Sequence, residues 1–552
     1  MPTHTVTNQA APREGIDEYA ANLPLVEGVQ RHGAAWAETE LSATGALVGT
    51  AGFQHDAELA NINEPVLHAF DRYGARIDEV EYHPAYHAII GAALSAGAHT
   101  SAWADPRPGA QVARAAQFML FAQVEPGHAC PVSMTHAVVP ALAAFAPAEL
   151  REQWLPRLFS RSYAPRLSGD KASAVFGMAM TEKQGGSDVR ANRTEAVPSS
   201  DGGYVLTGHK WFCSAPMSDA FLVLAQAPGG LSCFLVPRVL PDGERNPFFI
   251  QRLKDKLGNR ANASSEVEFD GTRGWLVGDE GRGVRTIIEM VNQTRLDCLL
   301  GTTAGMRQST AEAIWHAQHR AAFGALLSEQ PAMTQVLADL AVETEAATAT
   351  ALRVAAAYEA DAPEGEAAFA RLATAVQKYW ICKRGPGHAY EALECLGGNG
   401  YTEGFPLARR YREQPVMAVW EGSGNVIALD VLRALAREPE SLDAYLDEVR
   451  TAQGASGTLD AFVAETETLA RIVLADPSST DAQARARALT ERLAVALQAS
   501  LLVRHAPDAV ADAFCATRLT GRGFLYGAEP VGDAAAIVAR HESAASPAVP
   551  GR

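Results

Sequence analysis

Up to about residue 175 the apolar positions recur three and four residues apart, the spacing of helices that bury one face. EPVLHAFDRYGARIDEV, 64–80, and PGAQVARAAQFMLFAQV, 108–124, both carry this spacing, with Pro and Gly clusters between such runs. The pattern changes near 176. From 176 to 282 come short β-type runs, SAVFGMAM, YVLTGHKWF, AFLVLAQA, LSCFLVPRVL and SSEVEFDGTRGWLV, punctuated by Gly, Pro, Asp and Asn. They predict a small barrel or sandwich. Helical periodicity returns at 283 and persists to about 440 in long segments that suggest a bundle. The stretch 438–460 is polar and Gly-rich and reads as a linker or domain edge. An Ala- and Arg-rich helical module follows, and HESAASPAVPGR, 541–552, reads as a frayed tail.

The expected architecture is mainly α with a central β domain. It comprises N-terminal helices (1–175), a β-barrel or sandwich (176–282), a helical bundle (283–440) and an extra C-terminal helical module (441–552). Composition limits what this architecture can do. The formal charge is −17, which weakens any general nucleic-acid or anionic-membrane role. Seven dispersed cysteines, none two residues apart, point to free thiols in a reducing compartment and to no zinc or redox pair. No metal site is expected. The N-terminal residues lack a secretory pattern, and no run of about 18 apolar residues spans a bilayer. A cytoplasmic location without membrane attachment is the expectation.

Three stretches carry candidate chemistry. AMTEKQGGSDVRANRTEA, from Ala179, follows a β-type run and offers Thr181, Glu182, Gly185, Gly186, Ser187 and Asp188. Paired glycines let backbone approach a ligand, and hydroxyls and N–H groups bind phosphate oxygens. The same residues also make an ordinary β-turn with an Asp cap. GHKWFCSAP, from Gly208, sets Trp211 and Phe212 before Ser214. Residues two apart share a strand face, so an aromatic could stack on a planar cofactor while the hydroxyl meets its edge; equally, the rings could be core. ECLGGNGYTEGFPLARRYREQPVMAVWEGSGNVIALDVLRALAR, from Glu394, contains a Gly-rich turn at 397–401 and WEGSGN at 420–425. Glu421 there is either a general base, desolvated by Trp420, or a solvated acid at a helix start.

In this order and placement the three stretches resemble the acyl-CoA dehydrogenase superfamily. AMTEKQGGSDVRA (179–191) fits that family's first signature at every position. The second, 394–413, departs at Glu394 and Gly404, and RAAFGALLSEQ (320–330) is one residue shorter before Gln330. The longer runs GMAMTEKQGGSDV, GGLSCFLVPR, RLKDKLGNRANASSEVEF, ICKRG and WEGSGN, with the long N-terminal region and the added C-terminal module, are closer still to the family's alkylation-response members.

The resemblance implies FAD held between the β domain and the bundle. It places Met178, Ala179, Met180, Thr181, Glu182, Gly185, Gly186 and Ser187 along the flavin, with Thr181 on the pyrimidine edge and Ser187 on the pyrophosphate. Phe212, Cys213 and Ser214 would face the ring system, and Val419, Trp420, Gly422, Ser423, Gly424, Asn425 and Leu429 would complete the pocket. Arg320, Phe323 and Gln330 would reach the FAD of a neighbouring subunit in a homotetramer. Glu421 falls at the family's base position, where a carboxylate removes the proton alpha to an acyl-CoA thioester and hydride passes to the flavin. Arg433, twelve residues on, matches a pocket Arg of the alkylation-response members and would hold Glu421 ionised and slow acyl-CoA oxidation; otherwise it is a surface Arg. Those members also imply contact with duplex DNA through the C-terminal module. Residues 441–552 hold ten Arg, no Lys and fourteen acidic residues, a net −4. Arg471, Arg485, Arg487, Arg492, Arg504, Arg518 and Arg522 with five acids give their own span +2, either a thin phosphate footprint or a solvated helix face. The function implied is an FAD flavoprotein of DNA protection or repair with weak or no acyl-CoA oxidation; the alternative is a working dehydrogenase of short or branched acyl-CoA.

Overall fold

The computed structural model describes residues 3–521 and 523–542. The C-terminal stretch expected to fray lies, from 543 on, outside the described residues. Contacts divide the chain into two units. One holds Met1–Gln54, Arg107–Val124 and Cys298–Arg552, the other His55–Pro106 and Glu125–Asp297.

The second unit contains the two larger groups of strands. A hairpin of β1 (Val66–Phe70) and β2 (Arg76–Glu81) comes first. This corrects the helix expected over 64–80. The turn decides the matter: the Asp71 carboxylate accepts from the N–H groups of Tyr73 and Ala75, both at 2.8 Å, and Gly74 supplies the left-handed residue at φ +85°. A helix through 71–75 would forgo both contacts.

Seven strands follow: β3 (Phe176–Ala179), β4 (Glu195–Pro198), β5 (Tyr204–Ser214), β6 (Ala220–Ala227), β7 (Gly230–Pro237), β8 (Phe249–Leu253) and β9 (Ser264–Val277). The five β-type runs read from the sequence each hold one of them. The short β4 and β8 were not legible, each having five residues or fewer, with Pro198 ending β4 and Pro247 two residues ahead of β8. The pairings run β6–β4–β5–β9–β7 and return to β6, so the sheet closes on itself, with β3 added beside β6 and β8 beside β9. Of barrel and sandwich, this ring is the barrel. The unbroken apolar run of β6 is buried from Ala220 to Ala225. Leu222, Leu224 and Leu235 pack with Phe176, Trp154 and Leu142, joining the barrel to the helices Ala129–Phe145 and Ala148–Leu158.

The first unit is helical. Helix Ala110–Ala122 is buried on every side, and its polar groups are met within the unit, Gln117 Nε2 donating to Thr44 Oγ1 at 2.6 Å. Helices Pro331–Ala356, Glu366–Cys395 and Thr480–His505 pack against one another. The residues after 441 therefore share a unit with the bundle. The stretch 438–460 is not a linker: it contains helix Glu440–Arg450. Its residues Tyr445, Leu446 and Val449 recur at helical spacing and are buried, which the surrounding polar residues mask in the sequence. The Tyr445 hydroxyl donates to Leu493 O at 2.9 Å and accepts from Gln377 Nε2 at 3.1 Å.

Tyr445→Phe keeps the ring and removes one of the two acceptors of the Gln377 amide nitrogen, leaving Ala494 O at 3.2 Å, so it is expected to cost about 1–2 kcal/mol in urea unfolding. An unchanged midpoint would show that the two bonds contribute nothing.

Candidate functional site

In the second unit, the first two candidate stretches meet at a β-bulge. The register of β5 on β9 shifts between Lys210 and Cys213. The Trp211 N–H there donates to Thr181 O at 2.8 Å, and Lys183 N–H donates to His209 Nε2 at 3.0 Å. The bulge thus ties the 181–187 loop to the strand that carries the aromatic pair.

Beneath this contact lies an ion pair with no exposed side chain. Lys210 Nζ donates to Glu182 Oε1 at 2.9 Å, both side chains at 0% exposure, and to Leu224 O at 2.7 Å. The Glu182 carboxylate also accepts from Arg193 N–H, Thr194 N–H, Thr194 Oγ1 and Gln184 Nε2. Burial pushes the Lys210 ammonium down to about 8 against the pull of Glu182. Burial works to raise Glu182, but Lys210 and the donated hydrogen bonds outweigh it and hold the carboxyl at about 2. Glu182, grouped with the flavin contacts in the sequence, is committed here to holding the loop.

The outward face remains for a ligand. Phe212 is 52% exposed beside half-buried Trp211, and Lys254 lies over both rings, 3.3 Å from the Trp211 centroid and 4.7 Å from that of Phe212. Ser214 is on the Phe212 face, its Oγ 3.2 Å from Ser264 Oγ. Cys213 points the other way, fully buried, its thiol pushed up to about 12 by burial. Met178 and Ala179 are buried and Met180 half-buried, while Gly185 and Ser187 are exposed and Gly186 is half-buried. Gly185 takes φ +135°, and a Cβ on Gly186 would come within 2.3 Å of Thr181 Oγ1, so glycine is required for this approach.

In the first unit, the Glu421 loop precedes helix Gly424–Arg437. Glu421 is half-buried and takes the left-handed φ +58°, and Gly422 takes φ +106°. Trp420 packs on Cys298, Cys382 and Met417, and its indole N–H is buried without a hydrogen-bond partner among the described residues. Lys378 Nζ donates to the carbonyls on either side of Glu421, those of Trp420 at 2.8 Å and Gly422 at 2.7 Å. Val419, Ser423, Asn425 and Leu429 are exposed and Gly424 is half-buried. Arg433 lies at the surface, 59% exposed and 3.5 Å from the Asp430 carboxylate.

Arg320 precedes a second tight turn, and Phe323 lies in it. Strands β10 (Ala321–Ala322) and β11 (Ala325–Leu326) pair across Phe323, which is fully exposed at φ +54°. The N-terminal segment braces this turn: Asn8 exchanges two 2.8 Å hydrogen bonds with the Ala321 backbone, its own carbonyl accepts from Arg320, and Gln330 Nε2 donates to Ala322 O at 3.0 Å.

The arginines of the C-terminal module are mostly engaged. Arg518 pairs with Asp339 and Glu343, Arg504 with Glu448 and Arg492 with Glu465. Arg485 pairs with Asp481 one turn away, Arg487 donates to the Tyr379 hydroxyl, and Arg471 donates to Thr468. Arg522 lies outside the described residues.

Sequence reading missed Lys210, Lys378 and Asn8. A signal existed for the lysines, each a lone cation on an apolar face: Lys210 four residues after buried Leu206 on β5, and Lys378 among Ala375, Val376 and Tyr379.

Three family models match in chain order: the adaptive response protein AidB N-terminal domain at 8–165, the acyl-CoA dehydrogenase middle domain at 177–272 and the acyl-CoA dehydrogenase C-terminal domain at 281–436. The putative acyl-CoA dehydrogenase AidB of Escherichia coli is 44% identical over 524 residues, covering 94% of this chain and 95% of that protein. The chain belongs to the AidB branch of the acyl-CoA dehydrogenase family. Among solved structures, Caenorhabditis elegans ACDH-11 in complex with C11-CoA superposes with a TM-score of 0.87 at 26% identity, covering 96% of each chain. A Bacillus anthracis acyl-CoA dehydrogenase complexed with FAD shares the fold, with a TM-score of 0.68 at 16% identity over 88% of this chain and 86% of that one. Among the described residues, no helix of this family member is long and apolar enough to cross a membrane.

Removing one partner of the buried pair strands the other. Glu182→Gln or Lys210→Met is expected to cost about 3–5 kcal/mol in chemical denaturation, and the double replacement less than the sum. The carboxyl is held at about 2, below its ordinary 4.5, so its contribution is complete above pH 4.5 and is lost as the pH falls towards 2. Acid titration of Glu182→Gln should therefore show a shallower loss of stability across that window; an identical slope would mean that Glu182 is not held ionised.

Proposed function

We propose that the chain is an FAD flavoprotein of the AidB type that serves the cytoplasmic alkylation response as a homotetramer, with acyl-CoA oxidation slow or absent. The observation that carries the flavin reading is the bulge contact from Trp211 N–H to Thr181 O, which joins the Gly185–Gly186 approach to the exposed face of Phe212 and Ser214. This surface fits the group. Phe212 offers a flat apolar face, Thr181 and Ser214 offer hydroxyls for a polar ring edge, and glycine backbone with Ser187 suits a pyrophosphate. The base on this reading is Glu421, in the loop 419–425 of the first unit. FAD, when bound, supplies a hydride acceptor. The chain's own contribution is positional: Glu421 holds a carboxylate ready to take a proton alpha to a thioester carbonyl, and Arg320 and Phe323 extend towards a neighbouring subunit's cofactor.

One observation favours a second reading, a working dehydrogenase of short or branched acyl-CoA. Arg433, expected to restrain Glu421, is at the surface with Asp430. Flavin titration separates the two. On the first reading a panel of acyl-CoAs leaves the bound flavin oxidised, whereas rapid bleaching by a short or branched member, abolished in Glu421→Gln, establishes the second. Both require FAD, and Gly186→Ala, which displaces Thr181, should weaken its uptake at least tenfold. A protein that takes up no FAD overturns both.

The proposed DNA contact rests on the outward guanidinium groups of Arg471, Arg485 and Arg487, because the ion pairs of Arg492, Arg504 and Arg518 compete with phosphate. An exposed pair one helical turn apart, such as Arg485 with Asp481, is weak enough to exchange. Duplex DNA is expected to be retarded in a low-salt gel, with retardation lost in Arg471→Ala/Arg485→Ala/Arg487→Ala and kept in Arg492→Ala. Absence of retardation at low salt refutes it.

A further inference from the structure

Helix Glu366–Cys395 runs past the Glu421 loop within the first unit, and Lys378 on it is 1% exposed. Burying an ammonium is unfavourable unless its hydrogens find acceptors. Two of its acceptors are the carbonyls of Trp420 and Gly422, at 2.8 and 2.7 Å. These are the two residues adjoining Glu421 in sequence. One cation therefore fixes the 420–421 peptide plane before the glutamate and the 422–423 plane after it, with only the 421–422 peptide between them. Glu421 in turn takes φ +58°, a region that a non-glycine residue seldom occupies unless its surroundings impose it.

The loop is anchored on both sides of this clamp. Ahead of it, the Trp420 ring packs on Cys298, Cys382 and Met417. Behind it, helix Gly424–Arg437 begins at a glycine whose Cβ would come within 2.3 Å of Lys383 Cε. Side chains little more than one turn apart on the same helix, Lys378 and Lys383 with Cys382 between them, thus shape the whole of 420–424.

We propose that Lys378 is a positioning residue for Glu421: its ammonium locks the flanking carbonyls and so fixes the direction in which the carboxylate points. The inference rests on the reading of Glu421 as the base, and it names the residue on which that base depends. Lys378 takes no proton in the step. The proton alpha to the thioester passes to a Glu421 carboxylate oxygen, and the electron pair it leaves remains on the substrate as the enolate. Without the clamp the two peptide planes can rotate, Glu421 can return to an ordinary backbone conformation, and its carboxylate leaves the line of the C–H bond.

The test uses the FAD-loaded full chain and two readouts. The first is amide hydrogen exchange over 419–425. Lys378→Met is expected to raise exchange there at least tenfold while leaving the buried segment 134–142 of helix Ala129–Phe145 unchanged; Lys378→Arg, which still donates to both carbonyls, restores most of the protection; Glu421→Gln leaves it as in the wild type. The second is deuterium incorporation from solvent alpha to the thioester of a short acyl-CoA, expected to fall at least tenfold in kcat for Lys378→Met with KM unchanged. Wild-type protection of 419–425 in Lys378→Met overturns the inference. Should Lys378→Met not fold, Lys378→Leu, likewise without a donor, replaces it: raised exchange over 419–425 supports the clamp, and wild-type protection overturns it. Should Glu421→Gln incorporate deuterium as fast as the wild type, the assignment of the base fails, and hydrogen exchange alone decides whether Lys378 holds the loop.

Discussion

The buried contact between Lys210 and Glu182 is the constraint on which the candidate flavin surface depends. A loop of the composition EKQGGSDV has little apolar surface to bury and would wander if left to itself. It is held because Glu182, at its root, turns inward and receives the ammonium of Lys210 together with donors from Arg193, Thr194 and Gln184. Once Glu182 is seated, Thr181 is placed to accept from Trp211, and the strand must bulge to make that bond. The bulge then turns Phe212 outward and leaves Cys213 in the core. A charge pair that adds little net stability by itself thus decides which side chains face a ligand.

Lys378 repeats the device in the other unit. There a buried ammonium meets two backbone carbonyls and not a carboxylate, and the loop it secures carries the candidate base. Both lysines lie on regular elements, β5 and helix Glu366–Cys395, whose apolar neighbours fix their reach. The chemistry is carried by loops and its geometry is set by rigid elements beneath them. The C-terminal arginines show the contrast. Two of them, Arg518 and Arg504, are paired with carboxylates, and those partners, Asp339, Glu343 and Glu448, lie on other helices.

Much of this was legible in the sequence. The β-type runs are short, punctuated and bounded, so five of the seven strands of this sheet could be placed, and the bundle followed from the long helical periodicities. The Gly-rich 181–187 stretch and the aromatic pair were both recognisable as candidate chemistry. What periodicity could not reveal was a side chain whose role is set from far along the chain. Glu182 and Lys210 are 28 residues apart, and Lys378 and Gly422 are 44 apart. The hairpin at 66–81 was misread because the apolar residues of two short strands also fit helical spacing, and only the Asp71 turn separates the two possibilities. The helix at 440–450 was misread because its three buried apolar residues sit among acids. Arg433 fits a helix surface as well as a pocket wall, and sequence offers no means of choosing.

A structure of the FAD complex tests the central claim most directly. The account predicts an isoalloxazine ring lying against Phe212, with Ser214 at its edge, Thr181 hydrogen-bonded to it, and the pyrophosphate against Ser187, while Glu182 and Lys210 remain paired beneath. A flavin bound elsewhere, with Phe212 still open to solvent, would contradict it.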